Sequence, residues 1–423
     1  MSPPRAVVIG GGIGGLTTAL ALHRRGWHTT VLERAAGLAP VGAALTLAPN
    51  AQRALGTLGL GTQITELASW RGDGLMCDPA GRPLTRTHSE AVVARFGAPL
   101  VVLRRSDLID LIVDRLPAGT VRTGEAAFLT HAGSARHKAH VSTPNGRHEA
   151  DLVVAADGVR SPARAILFPD HPGPAFGGWT VWRLLAPTPG SGFVPHESWG
   201  RAQVWGTLVR DADSVFIYAC AATDEGGRSA DGEKAELRRR FGRWHDPVPT
   251  LIDSVPEHEI LRNDVHHMQV PLTAFHRGRT ALLGDAAHAM VPTLGQGANM
   301  AIEDGVVLAH HAAPDADPLV ALARYDRDRR PRTQDVVRRA ARLLKLTSLR
   351  SPVTVAARDG LMRMASRTVP GLLLRGFDGI ADWRPPTAGP GTSPARPPDH
   401  TSASPPPGTP RVSRTRATDP GRP

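Results

Sequence analysis

Residues 6–9 (AVVI) run straight into a turn in which five of the six residues from Gly10 to Gly15 are glycine. Glycine loses more conformational freedom on folding than any other residue, so such a density has to serve a backbone that turns tightly or is closely approached. The turn leads into 14–25, which reads as a helix, and then into 29–33 (TTVLE), which reads as a second strand. In this strand–turn–helix setting Gly10-x-Gly12-x-x-Gly15 is a dinucleotide-binding fingerprint. Gly10 permits the turn, Gly12 lets the backbone approach a pyrophosphate, and Gly15 brings the helix close to the sheet. The helix N-terminus offers N–H donors and a positive dipole end to phosphates. Glu33 lies 23 residues after Gly10 at the end of the second strand, where a carboxylate can accept hydrogen bonds from ribose hydroxyls. The competing reading is a glycine-rich turn in an unrelated α/β fold, and the motif alone does not separate FAD from NAD.

The chain has 423 residues, enough for two or three domains. Residues 6–22 are apolar and end in a signal-like Ala19-Leu20-Ala21, but the glycines would break a signal helix and only Arg5 precedes them. No uninterrupted apolar stretch of about 18 residues follows, so no membrane span is expected. Cys77 and Cys220 are the two cysteines and form no CxxC, which excludes a disulfide framework or a cysteine zinc site and suits a reducing cytoplasm. The formal charge of +11 is partly local, since 384–423 holds six Arg against two Asp. No recognition motif accompanies that charge, so a nucleic-acid partner is not expected. The adjacent pairs His266-His267 and His310-His311 point in different directions on any regular element, and no metal site is expected.

Further along, 50–59 suggests a helix N-capped near Asn50 and ended at Gly59, and 107–116 a second helix. Residues 151–156 (DLVVAA) read as a buried strand. From 175 to 275 the texture changes to short β-rich runs (179–185, 202–209, 214–221), which predict a separate, mostly antiparallel sheet. A buried strand returns at 279–284, then a helix from 296 to 311. A long Arg-rich helix over 319–347 is expected to be interrupted by Pro331, with further helix over 353–380. Beyond Trp383 proline is dense and no aromatic residue follows, so 384–423 is expected to be disordered.

Two later segments narrow the dinucleotide. Residues 151–161 read DLVVAADGVRS, with Asp157-Gly158 after the strand. Residues 279–304 read RTALLGDAAHAMVPTLGQGANMAIED, with Gly284-Asp285 at a strand end, Pro292 in a loop and Gly295-Gln296-Gly297 opening a helix. With these three ordered motifs the chain, from about Arg5 to Trp383, resembles the single-component FAD-dependent aromatic-ring hydroxylases of the para-hydroxybenzoate hydroxylase type. It looks most like the branch with salicylate hydroxylase, zeaxanthin epoxidase and the tetracycline-inactivating monooxygenases. Lesser matches are VGAALTLAPNAQRALGTLGL (41–60), RRSDL (104–108), ESWGRAQVWG (197–206) and ARYDRDRRPRT (323–333).

The resemblance implies an α/β chain. A Rossmann-like FAD domain (1–70, 98–168 and 277–317) would be joined to an inserted, mostly antiparallel substrate sheet (71–97 and 169–276) and C-terminal helices (318–383). It implies FAD as cofactor, NADPH or NADH as transient co-substrate, and insertion of one oxygen atom of O2 into a small organic substrate through a flavin C4a-hydroperoxide. Asp285 would accept from the ribityl chain, and Arg105 would approach its phosphate or ribityl region. Arg34 and the Gly42–Ala43 loop would flank the adenosine and isoalloxazine ends. Gly295, Gly297, Ala298 and Asn299 would aim backbone N–H groups at the flavin edge that gains negative charge, where preorganised donors act most strongly. Pro292 would lie beside the carbon where oxygen adds, and Asp157 and Gly158 would serve both FAD and the reductant.

Each residue also has a plainer reading. Asp285 could cap a helix, Arg105 could form a surface ion pair, and His288 is expected to be structural rather than a base. Trp182, Arg183, Trp205 and Tyr218 are the candidates for the substrate pocket, although most tryptophans of the middle sheet should be packing residues. Thr293 and Gly305 depart from the family pattern, where Asn and Ala are common. A rival function is a same-fold FAD oxidoreductase that inserts no oxygen; another is a flavin-holding or nucleic-acid-binding protein. The halogenase motif WxWxIP is absent, since 179–185 read WTVWRLL.

Overall fold

A computed structural model describes residues 2–38, 44–190, 192–368 and 371–387. The Gly42–Ala43 loop and all but the first residues of the proline-rich 384–423 segment lie outside the described residues.

The apolar runs become the strands of a six-stranded sheet, ordered His276–Arg277, Thr280–Leu282, Leu152–Ala155, Arg5–Ile9, His28–Leu32 and Val121–Arg122. All neighbours are parallel except the first pair. Strands covered on both faces read as continuous apolar runs, which is why Ala6–Ile9 and Leu152–Ala155 were legible as such. Arg5–Ile9 is flanked by Leu152–Ala155 and His28–Leu32, reached by connections that run in opposite directions. The crevice at the carboxyl ends of these strands is where such a sheet holds a ligand. Gly10, Glu33, Asp157 and Asp285 all fall at that edge.

The helix Ile13–His23 packs across the helix Gly297–His311 at a very short distance. A Cβ on Gly14 would lie 2.9 Å from the Ala301 Cβ, and one on Gly305 would lie 3.0 Å from the Thr18 nitrogen. The family departure at Gly305 is thus met by close helix packing against Thr18. Thr293, the other departure, donates its hydroxyl to the Ala340 carbonyl (2.8 Å) and ties the Pro292 loop to the long helix.

A second sheet of seven strands runs Leu261–His267, Ala175–Pro187, Ser214–Ala222, Gln203–Val209, His196–Trp199, Gly74–Cys77, Pro83–Thr87. It is antiparallel except where His196–Trp199 meets Gly74–Cys77. One face, with Trp182, Leu184, Trp205 and Ile217, is buried under the helices Glu233–Phe241 and Val248–Ser254. The other, with Val181, Val204, Cys220 and partly Tyr218, packs toward Val291, Leu294 and Ala340.

Three expectations need correction. The helix expected to cap at Asn50 starts at Pro49, whose fixed φ suits a first helical position. Asn50 is instead buried inside it and donates to Glu303 (2.7 Å) and Gln296 (3.2 Å). The long helix Pro318–Thr347 continues through Pro331. That proline lies on its exposed face, where water can satisfy the carbonyl left without a partner. The following helix, Pro352–Thr368, stops well short of residue 380, and a 3-10 turn occupies Leu372–Phe377.

Candidate functional site

The glycine turn divides its labour by space. Gly10 has φ +105°, and a Cβ there would sit 2.4 Å from the Ala156 carbonyl oxygen. A Cβ on Gly15 would sit 2.1 Å from the Gly10 carbonyl oxygen. Both glycines are needed by the protein itself. Gly12 is different: it has φ −72°, open to any residue, and a Cβ there meets nothing within 4 Å. The emptiness over Gly12, at the mouth of a helix whose first N–H groups lack intrahelical partners, is a cradle for an anion. Glu33 braces this turn by accepting from the N–H groups of Gly11 (2.7 Å) and Ala35 (2.8 Å), which leaves each oxygen one further lone pair. Arg34 is exposed beside it.

At the next strand end, Asp157 accepts from the Ala163 N–H (3.1 Å) through one oxygen, while the other is buried with no partner. Burial pushes its carboxyl up. Gly158 has φ +82° and turns the chain. Arg164, which the sequence reading did not single out, donates to the carbonyls of Ala286 (3.0 Å) and Val159 (2.7 Å). It fastens this turn to the third motif.

There, Gly284 (φ +59°) aims Asp285 into the crevice. Solvent reaches the carboxylate, yet protein surrounds it on nearly all sides; desolvation pushes it up, against the pull of His288 and Arg105. Arg105 opens the helix Arg105–Val113. Its Nε is buried without a partner, and burial, then the neighbouring Arg183 cation, lowers its pKa, while Asp285 raises it. Arg183 and Asp285 therefore both lie near enough to Arg105 for their charges to act on it. Pro292 and Gly295 (φ +61°) are exposed in the adjoining loop, and a Cβ on Gly297 would lie 3.9 Å from Asp285 Oδ1. The helix begun by Gly297 and Ala298 has free N–H groups at this spot. The Asn299 side chain is spent on structure: it accepts from the Ala48 N–H (2.9 Å) and donates to the carbonyls of Gly295 (2.8 Å) and Thr46 (3.2 Å).

Behind this helix start lies a buried ion network. Asp304 accepts from His288 Nε2 (2.6 Å), the Gly284 N–H (3.0 Å) and Arg329 Nε (2.7 Å). Glu303 accepts from Arg329, Arg332 and Asn50. His288 is 2% exposed and engaged there, away from the crevice.

Of the substrate candidates, Arg183 and Tyr218 are direct cross-strand neighbours on the crevice face. Trp182 and Trp205 are not on that face. Alternation along a strand turns them to the opposite side, into the core under the two helices. Trp182 donates there to Glu233 (2.7 Å), and Trp205 packs on Phe241 at 5.5 Å between centroids. Glu197, absent from the expected set, reaches the crevice face and accepts from Tyr218 and Trp199. Among the described residues no group of three or more His, Cys, Asp or Glu could hold a metal ion, and no helix is long and apolar enough to cross a membrane.

Three strand-end motifs, an anion cradle over Gly12 and orphaned polar atoms on Arg105 and Asp157 fit a flavin dinucleotide and define a flavoprotein. Residues 5–340 match the family model described as an FAD binding domain, and the chain belongs to that family, the single-component FAD-dependent aromatic hydroxylases. It is 34% identical over 364 residues to the aurachin C monooxygenase/isomerase of Stigmatella aurantiaca, covering 85% of this chain and 94% of that protein. It is 36% identical to a 3-amino-4-hydroxybenzoate 2-monooxygenase of Streptomyces platensis, covering 80% and 87%. The crystal structure of Klebsiella pneumoniae HpxO complexed with FAD and uric acid shares the fold with a TM-score of 0.80 and 26% identity, covering 89% of this chain and 97% of that one. The chain is a flavin-dependent monooxygenase.

Proposed function

We propose that the enzyme spends NAD(P)H and O2 to place one oxygen atom on a small aromatic substrate held between the crevice face of the seven-stranded sheet and the Pro292 loop. The observation that carries this reading is the convergence of Arg105 and Asp285, at the flavin end, with Arg183 and its neighbour Tyr218 on the sheet. The relatives named above as monooxygenases of hydroxylated and aminated aromatic compounds support it. Bound FAD supplies the redox chemistry, accepting hydride and passing electrons to O2. The chain's own residues bind, orient and exclude water. Gly12 and the first turn of Ile13–His23 take the pyrophosphate, and Asp285 takes a ribityl hydroxyl. The N–H groups of Gly297 and Ala298 face the flavin edge that gains negative charge, where fixed dipoles cost no reorganisation. Tyr218 and Arg183 orient the substrate. The sheet and the Pro292 loop keep bulk water from the reacting centre.

The nicotinamide dinucleotide is a visitor in this reading. A cleft of 440 Å³ beside the Asp157-Gly158 turn is lined by Arg160, Arg228, Arg262 and His266. Arg262 is already paired with Asp264 (2.9 Å), whereas Arg160 and Arg228 are exposed. Exchanging both for glutamate is expected to raise KM for NADPH at least tenfold, about 1.4 kcal/mol, with FAD content unchanged. An unchanged KM would move the reductant elsewhere. Two buried free thiols, Cys77 and Cys220, agree with a cytoplasmic home.

The reading is tested by the visible spectrum and by isotopically labelled O2. A yellow protein should bleach with NADPH under anaerobic conditions and recover in air, and the product should carry one labelled atom. A product without label would turn the assignment to an FAD oxidoreductase that inserts no oxygen.

A further inference from the structure

Resting on that reading of the crevice, we infer that Glu197 fixes the hydrogen-bond polarity of Tyr218, so that the enzyme selects aromatic substrates bearing a hydroxyl or amino hydrogen at the position facing Tyr218. The geometry is built across three strands. Glu197 stands opposite Gly206, and Gly206 opposite Tyr218, in one row that continues to Arg183. A Cβ on Gly206 would lie 2.0 Å from Tyr218 Cζ. The phenol therefore lies flat over Gly206, and its hydroxyl donates to one Glu197 oxygen. The other Glu197 oxygen accepts from Trp199 Nε1, whose ring is covered by the Arg358 guanidinium at 5.4 Å. Glu197 and Tyr218 both keep some solvent exposure, so the pair is not sealed within the core.

A phenol has one hydrogen to give and lone pairs to receive with. Once its hydrogen is held by a carboxylate, Tyr218 can offer a ligand only an acceptor. A ligand atom placed there without a hydrogen of its own would face lone pair to lone pair. A desolvated acceptor left unmatched costs on the order of 1–3 kcal/mol, tenfold or more in affinity. Arg183 is the next residue in the row, about 5 Å away between backbones, and offers the opposite polarity. The selected ligand thus carries an O–H or N–H beside a carboxylate or carbonyl. Glu197 need not touch the ligand; it is a positioning residue that acts through Tyr218. Charged and titratable groups near the pair include Cys220, Arg183 beside Tyr218, and Arg358, which stacks on Trp199 and pairs with Asp359, and two donors favour the carboxylate over its acid. Burial opposes them and pushes the carboxyl up.

The test uses the FAD-loaded full chain and matched probes, 2-hydroxybenzoate against 2-methoxybenzoate and 2-aminobenzoate against 2-(dimethylamino)benzoate. Binding is read from perturbation of the flavin absorbance at millimolar probe, independently of turnover. The wild type should bind the hydrogen-bearing member of at least one pair about tenfold more tightly or better. Tyr218→Phe should bring that ratio to within about threefold. Glu197→Gln is decisive. Its amide can donate to the phenol oxygen and free the Tyr218 hydrogen to point at the ligand, so the ratio should fall and the methylated member should gain. Glu197→Asp should restore part of the wild-type preference. A wild type that fails to discriminate in either pair, or a Glu197→Gln variant that weakens both members equally, overturns the inference. Because no oxygen transfer is measured, failure here is distinct from failure of the monooxygenase assignment, which the labelled product decides.

Discussion

Gly12→Val is expected to give a folded, colourless protein. The open space over Gly12 and its ordinary φ mean that a Cβ there meets no protein atom. In the proposed site the valine instead occupies the place where the pyrophosphate would approach the helix N-terminus. FAD affinity should fall by about 100-fold or more, corresponding to roughly 2.7 kcal/mol, while the far-UV circular dichroism and unfolding temperature of the apoprotein stay those of the wild-type apoprotein. Gly15→Val is the contrasting control. Its Cβ would press on the Gly10 carbonyl oxygen at 2.1 Å, so that variant should lose the fold along with the flavin. Both effects are read from the flavin absorbance of purified protein and from titration of the apoprotein with FAD. Wild-type affinity in Gly12→Val would mean that the pyrophosphate lies elsewhere.

That contrast also shows where sequence reading stops. The three motifs were legible because each follows a buried parallel strand, and such strands announce themselves as short apolar runs before turn residues. All three meet at one sheet edge. Which side of a strand a residue occupies depends on register, and no local pattern in WTVWRLL says which of Trp182 and Arg183 faces the crevice. The structure turns Arg183 toward it and buries Trp182 beneath Glu233–Phe241. Glu197 was out of reach for a stronger reason. Its pairing with Tyr218 spans 21 positions and depends on a glycine in a third strand, so only the assembled sheet brings the three together. Pro331 misled for the opposite reason. The rule that proline breaks helices assumes a lost hydrogen bond inside protein, and here the affected side of the helix faces water. Asn50 reads locally as a helix cap, whereas a partner more than 250 positions away claims its side chain.

The same distant partner belongs to the network that should yield the largest change in stability. Arg329 is 1% exposed and supplies hydrogen bonds to Asp304 (2.7 Å), Glu303 (2.6 Å) and the Met300 carbonyl (3.3 Å). Glu303 has a second guanidinium in Arg332, but among the described residues Asp304 has no other arginine and keeps only His288 and the Gly284 N–H. Burial alone would raise the Asp304 carboxyl; His288 and Arg329 more than offset it and bring it to about 2. Its folded value is depressed, so its stabilising contribution is present above the unfolded value near 4 and is lost as pH falls from there through about 2. Arg329→Met, which keeps the volume and removes the charge, should cost about 3–5 kcal/mol at neutral pH because a buried carboxylate is left uncompensated. The unfolding midpoint should drop by about 4–6 °C. Adding Asp304→Asn to that variant should recover part of the loss, since the pair is in contact and the two changes are not additive. The pH dependence separates this cause from simple loss of packing. In Arg329→Met the stranded carboxyl is harder to ionise than in the unfolded chain, so acid relieves it by protonation. The deficit relative to wild type should therefore shrink as pH is lowered from 7 toward 4. A deficit that is constant across that range would show that Arg329 matters for its packed stem and not for the charges it holds between Gly297–His311 and the long helix.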